Sequence, residues 1–161
     1  MATFSVYAGS TPVNTSVVRA GGNYFITPKT SISGSYYSAT NLVTAQTLLS
    51  GFDFGSRMYL FSPGVSQTIR SESVKIEVYS ALNHYLSLQY VQRNLTVLTT
   101  QVSYSGFSAG YGVATSIGRL VHMELLNSYY LNLQVSYESM SAPQRANAST
   151  MNFLAGLELS L

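Results

Sequence analysis

The chain has 161 residues, of which 9% are charged and 46% hydrophobic, with 13 Tyr, 7 Phe and no Cys. An ordinary globular domain carries about 25% charged residues, so this one is short of charge, and its aromatic content argues against disorder. The length suits one domain, 1–161. The absence of cysteine excludes a disulfide framework, thiolate chemistry and a Cys-based zinc site, and a formal net charge of +2 on scattered residues gives no patch for nucleic acid.

The chain opens on "TFSVYAGS", which reads as a strand. No basic region precedes an apolar core here, so export is expected to need a signal already removed. "TPKT" at 27–30 is a turn. "NLVTAQTLLS" at 41–50 is the single window with a helical reading, because Leu42, Ala45, Gln46 and Leu49 can share a face and Gly51 can stop it; the same stretch can also extend the next strand or form a loop. No run of about 18 apolar residues occurs, which excludes a transmembrane helix.

Beyond residue 50 the period is two. "GFDFGSRMYL" sets Phe52, Phe54, Met58 and Leu60 against Asp53, Gly55 and Arg57, and "FSPG" at 61–64 ends it with a turn. "SVKIEVYS" sets Val74, Ile76 and Val78 against Lys75 and Glu77. "YLSLQY" sets Leu86, Leu88 and Tyr90 against Ser87 and Gln89. "LVHMELL" sets Val121, Met123 and Leu125 against His122 and Glu124, and "LNS" at 126–128 turns the chain. "YYLNLQVSYE" sets Tyr129, Leu131, Leu133, Val135 and Tyr137 against Tyr130, Asn132, Gln134, Ser136 and Glu138. After the polar loop "SMSAPQRANAS", the closing "MNFLAGLELSL" puts Met151, Phe153, Ala155, Leu157, Leu159 and Leu161 on one parity. Strict alternation marks strands with one apolar and one polar face. About ten strands are expected, eight as the conservative count, joined as successive hairpins.

The polar faces decide which side is the interior. A soluble sandwich should show Lys, Glu, Thr and Asp to water. Here the polar faces hold Ser, Asn, Gln, Tyr and Gly, with charges of mixed sign close together: Asp53 with Arg57, Lys75 with Glu77, His122 with Glu124. Buried charges need opposite partners, so Asp53, Arg57, Lys75, Glu77, His122, Glu124 and Gln134 are expected to form an interior polar network. Val74, Ile76, Val78, Leu131, Leu133, Val135, Phe153, Leu157 and Leu159 are then expected to face lipid. Tyr129 and Tyr137 are eight steps apart, roughly 20 Å along a membrane normal at about 40° tilt, and suit an aromatic girdle because a tyrosine ring is apolar and its hydroxyl stays wet. Lipid allows no unpaired edge, so the expected fold is all-β: a closed, antiparallel, up-and-down transmembrane β-barrel of about 8–10 strands, with the last strand held by pairing to the first.

The ending resembles the C-terminal strand of Gram-negative outer-membrane β-barrel proteins, in which apolar residues alternate, a glycine falls several residues from the end, and the last residue is aromatic. Gly156, Leu157, Leu159 and Leu161 take those positions, Leu161 departing by being aliphatic. The resemblance implies the bacterial outer membrane as location, membrane lipid and the outer-membrane assembly machinery as partners, and Leu161 at the periplasmic end. Counting back through hairpins then places Ala2 beside the C-terminus with "LNS" in the periplasm, and "SMSAPQRANAS" outside.

No cofactor is expected, since no metal-ligand spacing occurs and no Gly-rich loop leads from a strand into a helix. His122 and Glu124 could serve as a base and its orienter in a barrel hydrolase, against the plainer reading of a satisfied interior pair. About ten strands enclose little volume, so a non-enzymatic structural barrel or narrow pore is expected. "SISGSYYSA" and "SGFSAGYGVA" are rich in small residues. Two readings stand side by side there: close contact between copies in a homo-oligomer, or Gly106, Gly110 and Gly112 making room for large side chains inside. A soluble all-β shell or coat subunit, its apolar faces packed on another sheet, is the alternative.

Overall fold

The computed structural model describes residues 2–11, 15–41, 47–64, 67–71, 74–78, 81–97, 100–143 and 146–160, with side chains at 16–41, 47–64, 81–96, 101–143 and 146–160. The strands are β1 (Ala2–Thr11), β2 (Thr15–Thr27), β3 (Thr30–Asn41), β4 (Thr47–Tyr59), β5 (Gln67–Ser71), β6 (Val74–Val78), β7 (Leu82–Val97), β8 (Thr100–Ser116), β9 (Tyr129–Ser141) and β10 (Ala148–Ser160). Eight of them close one antiparallel barrel in the order β1-β10-β9-β8-β7-β4-β3-β2. The last strand is held by the first, with Thr3 opposite Ser160, Val6 opposite Leu157 and Ser10 opposite Phe153. Closure removes the free edge that an eight-stranded open sheet would present.

Two sequence expectations change, and a third, open between helix, strand and loop, is decided in part. Val74–Val78 is a strand, but it pairs with Gln67–Ser71 in a separate two-stranded sheet inserted between β4 and β7. It is therefore no stave of the barrel. The side chains of Val74, Lys75, Ile76, Glu77 and Val78 lie outside the described residues.

"LVHMELL" is not a strand either. β8 ends at Ser116, and Ile117–Val121 forms a short helix, α1, followed by a 3-10 turn at Glu124–Leu126. Ile117, Leu120 and Val121 stand at i, i+3 and i+4, a helical spacing that overlaps the apparent alternation of Val121, Met123 and Leu125. His122 closes α1 in the left-handed conformation, φ 56°. Finally, Thr47–Ser50 belongs to β4, so the second half of the candidate helical window is strand; Leu42–Gln46 lie outside the described residues.

Both chain ends meet at one mouth of the barrel, Thr3 being paired with Ser160. The β2–β3 turn, the inserted β5–β6 hairpin and the α1 connection share that end, and the β9–β10 connection lies at the other. The insertion is anchored by main-chain bonds: Gly64 N donates to Pro28 O at 2.8 Å, and Leu60 N to His84 O at 2.9 Å.

Faces alternate without a break along β9, where every odd residue from Tyr129 is exposed and every even one from Tyr130 buried. From Leu131 to Tyr137 the exposed set is apolar and the intervening buried set polar; nearer the end of the strand Ser139 and Ser141 are exposed and Met140 is buried. Phe52, Phe54, Leu88, Phe107, Leu133 and Leu157 each expose more than half their surface, while Asn132, Gln134, Glu138 and Asn152 are almost wholly buried. Gly106, Gly110 and Gly112 point inward, and a side chain on Gly112 would overlap the Tyr85 ring. Tyr85 lies directly opposite it on β7. At Gly112 the missing side chain thus makes room for an interior aromatic.

Candidate functional site: the charged interior of the barrel

The lumen is filled in layers. At the terminal end, Phe25, Tyr59 and Tyr85 form a buried aromatic cluster, the Tyr59 ring 5.5 Å from each of the other two. Below it, Arg57 on β4 pairs with Glu158 on β10 at 3.1 Å. Asn132 Nδ2 donates to Glu158 Oε2 at 3.0 Å and Asn23 Nδ2 to Oε1 at 3.4 Å, and the Tyr85 hydroxyl donates to Asn132 Oδ1 at 2.7 Å. The Arg57 guanidinium lies 4.8 Å from the Tyr85 ring centre. The next layer is neutral: Gln89 donates to Ser33, and Gln134 to Ser87, each at 3.2 Å.

The largest cluster follows. Arg19 Nε lies 2.9 Å from Asp53 Oδ2 and its Nη2 3.3 Å from Glu138 Oε1. Arg93 pairs with Asp53 as well and reaches Glu138 Oε1 at 2.9 Å. Ser35 Oγ donates to Asp53 at 3.1 Å. Two arginines and two carboxylates from β2, β4, β7 and β9 thus cancel in charge at the centre of the barrel. Tyr37 seals them on the far side, its ring centre 4.0 Å from the Arg93 guanidinium carbon and 5.8 Å from that of Arg19. Beyond Tyr37 the lumen turns apolar, with Val17, Ala39 and Leu154 packed together.

The arrangement joins β2, β4, β7, β9 and β10 across the lumen through buried ion pairs. A buried pair is costly to desolvate, and it persists where geometry is good and the remaining hydrogen-bonding capacity is used. Cation–π contact from Tyr37 and Tyr85 adds to both clusters. The paired side chains are almost wholly buried, so each ion pair acts in a lower dielectric than a surface pair would.

Of the expected interior residues, Asp53, Arg57 and Gln134 are buried in the lumen. His122 and Glu124 are not. Both are exposed on the α1 connection, flanking a surface hollow with Arg119 and Asn127, because β8 stops before it reaches them. Leu131, Leu133, Val135, Phe153 and Leu157 face outward, as do Tyr129 and Tyr137, while Leu159 is half-buried. Alternation sets Glu138 on a polar face and, by the parity opposite Leu157 and Leu159, Glu158 as well, but names no partner for either. Arg19 and Arg93 are buried in the lumen as well, outside the expected set. Arg93 shares the parity of Ser87 and Gln89, a signal that could have found it; Arg19 follows Val17 and Val18, where alternation is broken. Among the described residues no group of His, Asp and Glu could hold a metal ion.

A closed eight-stranded barrel with an apolar outside and a charge-paired inside has the fold of the small outer-membrane β-barrels. The solved structures agree. The N-terminal β-barrel domain of Pseudomonas aeruginosa OprF is similar over 98% of this chain and 96% of its own, at 12% identity and a TM-score of 0.59. Neisserial surface protein A, NspA, is similar over 99% of this chain and 94% of its own, at 12% identity and a TM-score of 0.58. No family model matches the chain, and no curated protein sequence does.

Proposed function

We propose that this protein is a non-enzymatic β-barrel of the bacterial outer membrane, spanning the bilayer as a plugged structural barrel. The observation that carries the reading is the inversion of polarity around a closed sheet. Leu133 on β9 exposes 55% of its surface, while its neighbour Gln134 exposes 3%. In water that arrangement has no driving force; in lipid it is what a sheet requires. A coat subunit would have to cover the apolar face with a second sheet, and here Tyr24, Tyr36, Phe52, Leu88, Phe107, Leu133 and Leu157, on seven successive strands of the barrel, all face outward. Membrane lipid is accordingly its principal partner. The outer-membrane assembly machinery would receive β10, the strand that carries Gly156, Leu157 and Leu159.

The layered lumen supports a plugged barrel over a pore. An eight-stranded barrel is just wide enough for side chains to fill, and here both clusters span it. Single chains in a planar bilayer should pass almost no ions. Large, steady conductance would reject the plug and make the protein a porin. The hydrolase reading would need His122 and Glu124 to act from an exposed turn, so His122→Ala should leave phospholipid and acyl-ester turnover unchanged.

A further inference from the structure

The mouth of the lumen opposite the chain termini holds a cavity of about 300 Å³. Ala39, Leu49, Leu95 and Met140 contribute its walls, from β3, β4, β7 and β9, and Tyr37 forms its floor. These residues stand near the ends of their strands on the side away from Thr3 and Ser160. Between the aromatic cluster at the terminal end and Tyr37 the lumen is polar and charged, so this apolar chamber stands apart from the layers next to it.

We propose that this chamber is a binding site for a neutral molecule with a short hydrocarbon chain and one hydroxyl or ester end. The walls supply the chain's partner. Water in such a chamber finds few polar groups, and an empty one forfeits dispersion contacts along its lining. The volume falls at the small end of ligand pockets. The floor excludes a charged ligand, because Tyr37 separates the chamber from Arg19 and Arg93, whose charges are already taken by Asp53 and Glu138. No charged side chain lines the chamber among the described residues. The lining residues with polar side chains are Tyr37, Tyr104, Ser149 and Thr150, neutral hydroxyls suited to one hydroxyl or ester group. The inference rests on the barrel fold and is indifferent to whether the barrel conducts.

The chain carries its own controls for a test. Met140 lies in the chamber and is 6% exposed, whereas Met58 and Met151 face outward at 52% and 45%. Protein labelled with 13C at methionine methyls, in lipid nanodiscs, is titrated with 1-decanol and separately with decanoate. The Met140 methyl should shift and saturate with decanol, while Met58 and Met151 drift in proportion to decanol dissolved in the bilayer. Ala148→Leu, which fills the chamber from β10, should weaken the midpoint about tenfold or remove it, and Ala39→Leu is the second filling variant. Folding of each variant is checked by heat-modifiable gel migration. A Met140 response that follows the outward methionines, or one that survives both fillings, would overturn the site. An equal response to decanoate would overturn the neutral class of ligand.

Discussion

Arg93 and Glu138 are 45 positions apart in sequence, and Arg93 Nη2 lies 2.9 Å from Glu138 Oε1. They tie β7 to β9 across the lumen, past the intervening β8. Both are fully buried, and Glu138 Oε1 is also reached by Arg19. Replacing Glu138 by Gln leaves two arginines to share Asp53. Breaking a buried pair from one side costs about 3–5 kcal/mol. Urea unfolding of the folded protein in detergent should show a loss of that order for Glu138→Gln, against less than about 0.5 kcal/mol for Glu124→Gln at the exposed turn. Equal effects at the two positions would show that the central cluster contributes nothing.

Leu133 and Gln134 test the orientation of the wall. Leu133→Arg should destabilise the barrel in lipid by about 2–4 kcal/mol if it sits near the bilayer midplane. A spin label at Leu133 should be quenched by lipid-soluble oxygen and spared by a water-soluble nickel complex. Water accessibility at Leu133 in the folded barrel would place this face outside the bilayer and reject the membrane reading.

Gly112 and Gly34 make a paired test of packing. A side chain on Gly112 meets the Tyr85 ring, while one on Gly34 meets nothing within 4 Å. Overpacking costs about 1–3 kcal/mol, so Gly112→Ala should lower the thermal midpoint and Gly34→Ala should leave it near that of the parent. Rescue of Gly112→Ala by Tyr85→Leu would locate the clash. A harmless Gly112→Ala would mean that the Tyr85 ring has another place to go.

The absence of cysteine makes sidedness accessible to thiol labelling. With the termini in the periplasm, Ala146→Cys in the β9–β10 connection should react with a membrane-impermeant maleimide on intact cells, and Ser62→Cys in the β4–β7 insertion should not. The reverse pattern would turn the barrel upside down in the membrane.

Much of the fold was legible in particular runs. "YYLNLQVSYE" and "MNFLAGLELSL" announce β9 and β10 because a strand's side chains alternate with period two and the two faces meet different solvents. Asp53, Arg57 and Gln134 could be assigned inward on the same ground. "LVHMELL" misled because a run that short fits two periods at once, and whether it continues the wall depends on where β8 stops. "SVKIEVYS" alternates well and is a true strand, but its partner is β5, a choice that periodicity does not contain.

By itself, then, the order of residues determined the polarity of each strand's two faces and the need for closure, since those follow from local alternation and from the cost of unpaired backbone groups in an apolar solvent. Only the tertiary structure decided which strands joined the barrel, and which charges met within it. Arg19, Asp53, Arg93 and Glu138 come from four strands, and their pairing depends on register and on closure of the sheet. Those are long-range relations, and no local period records them.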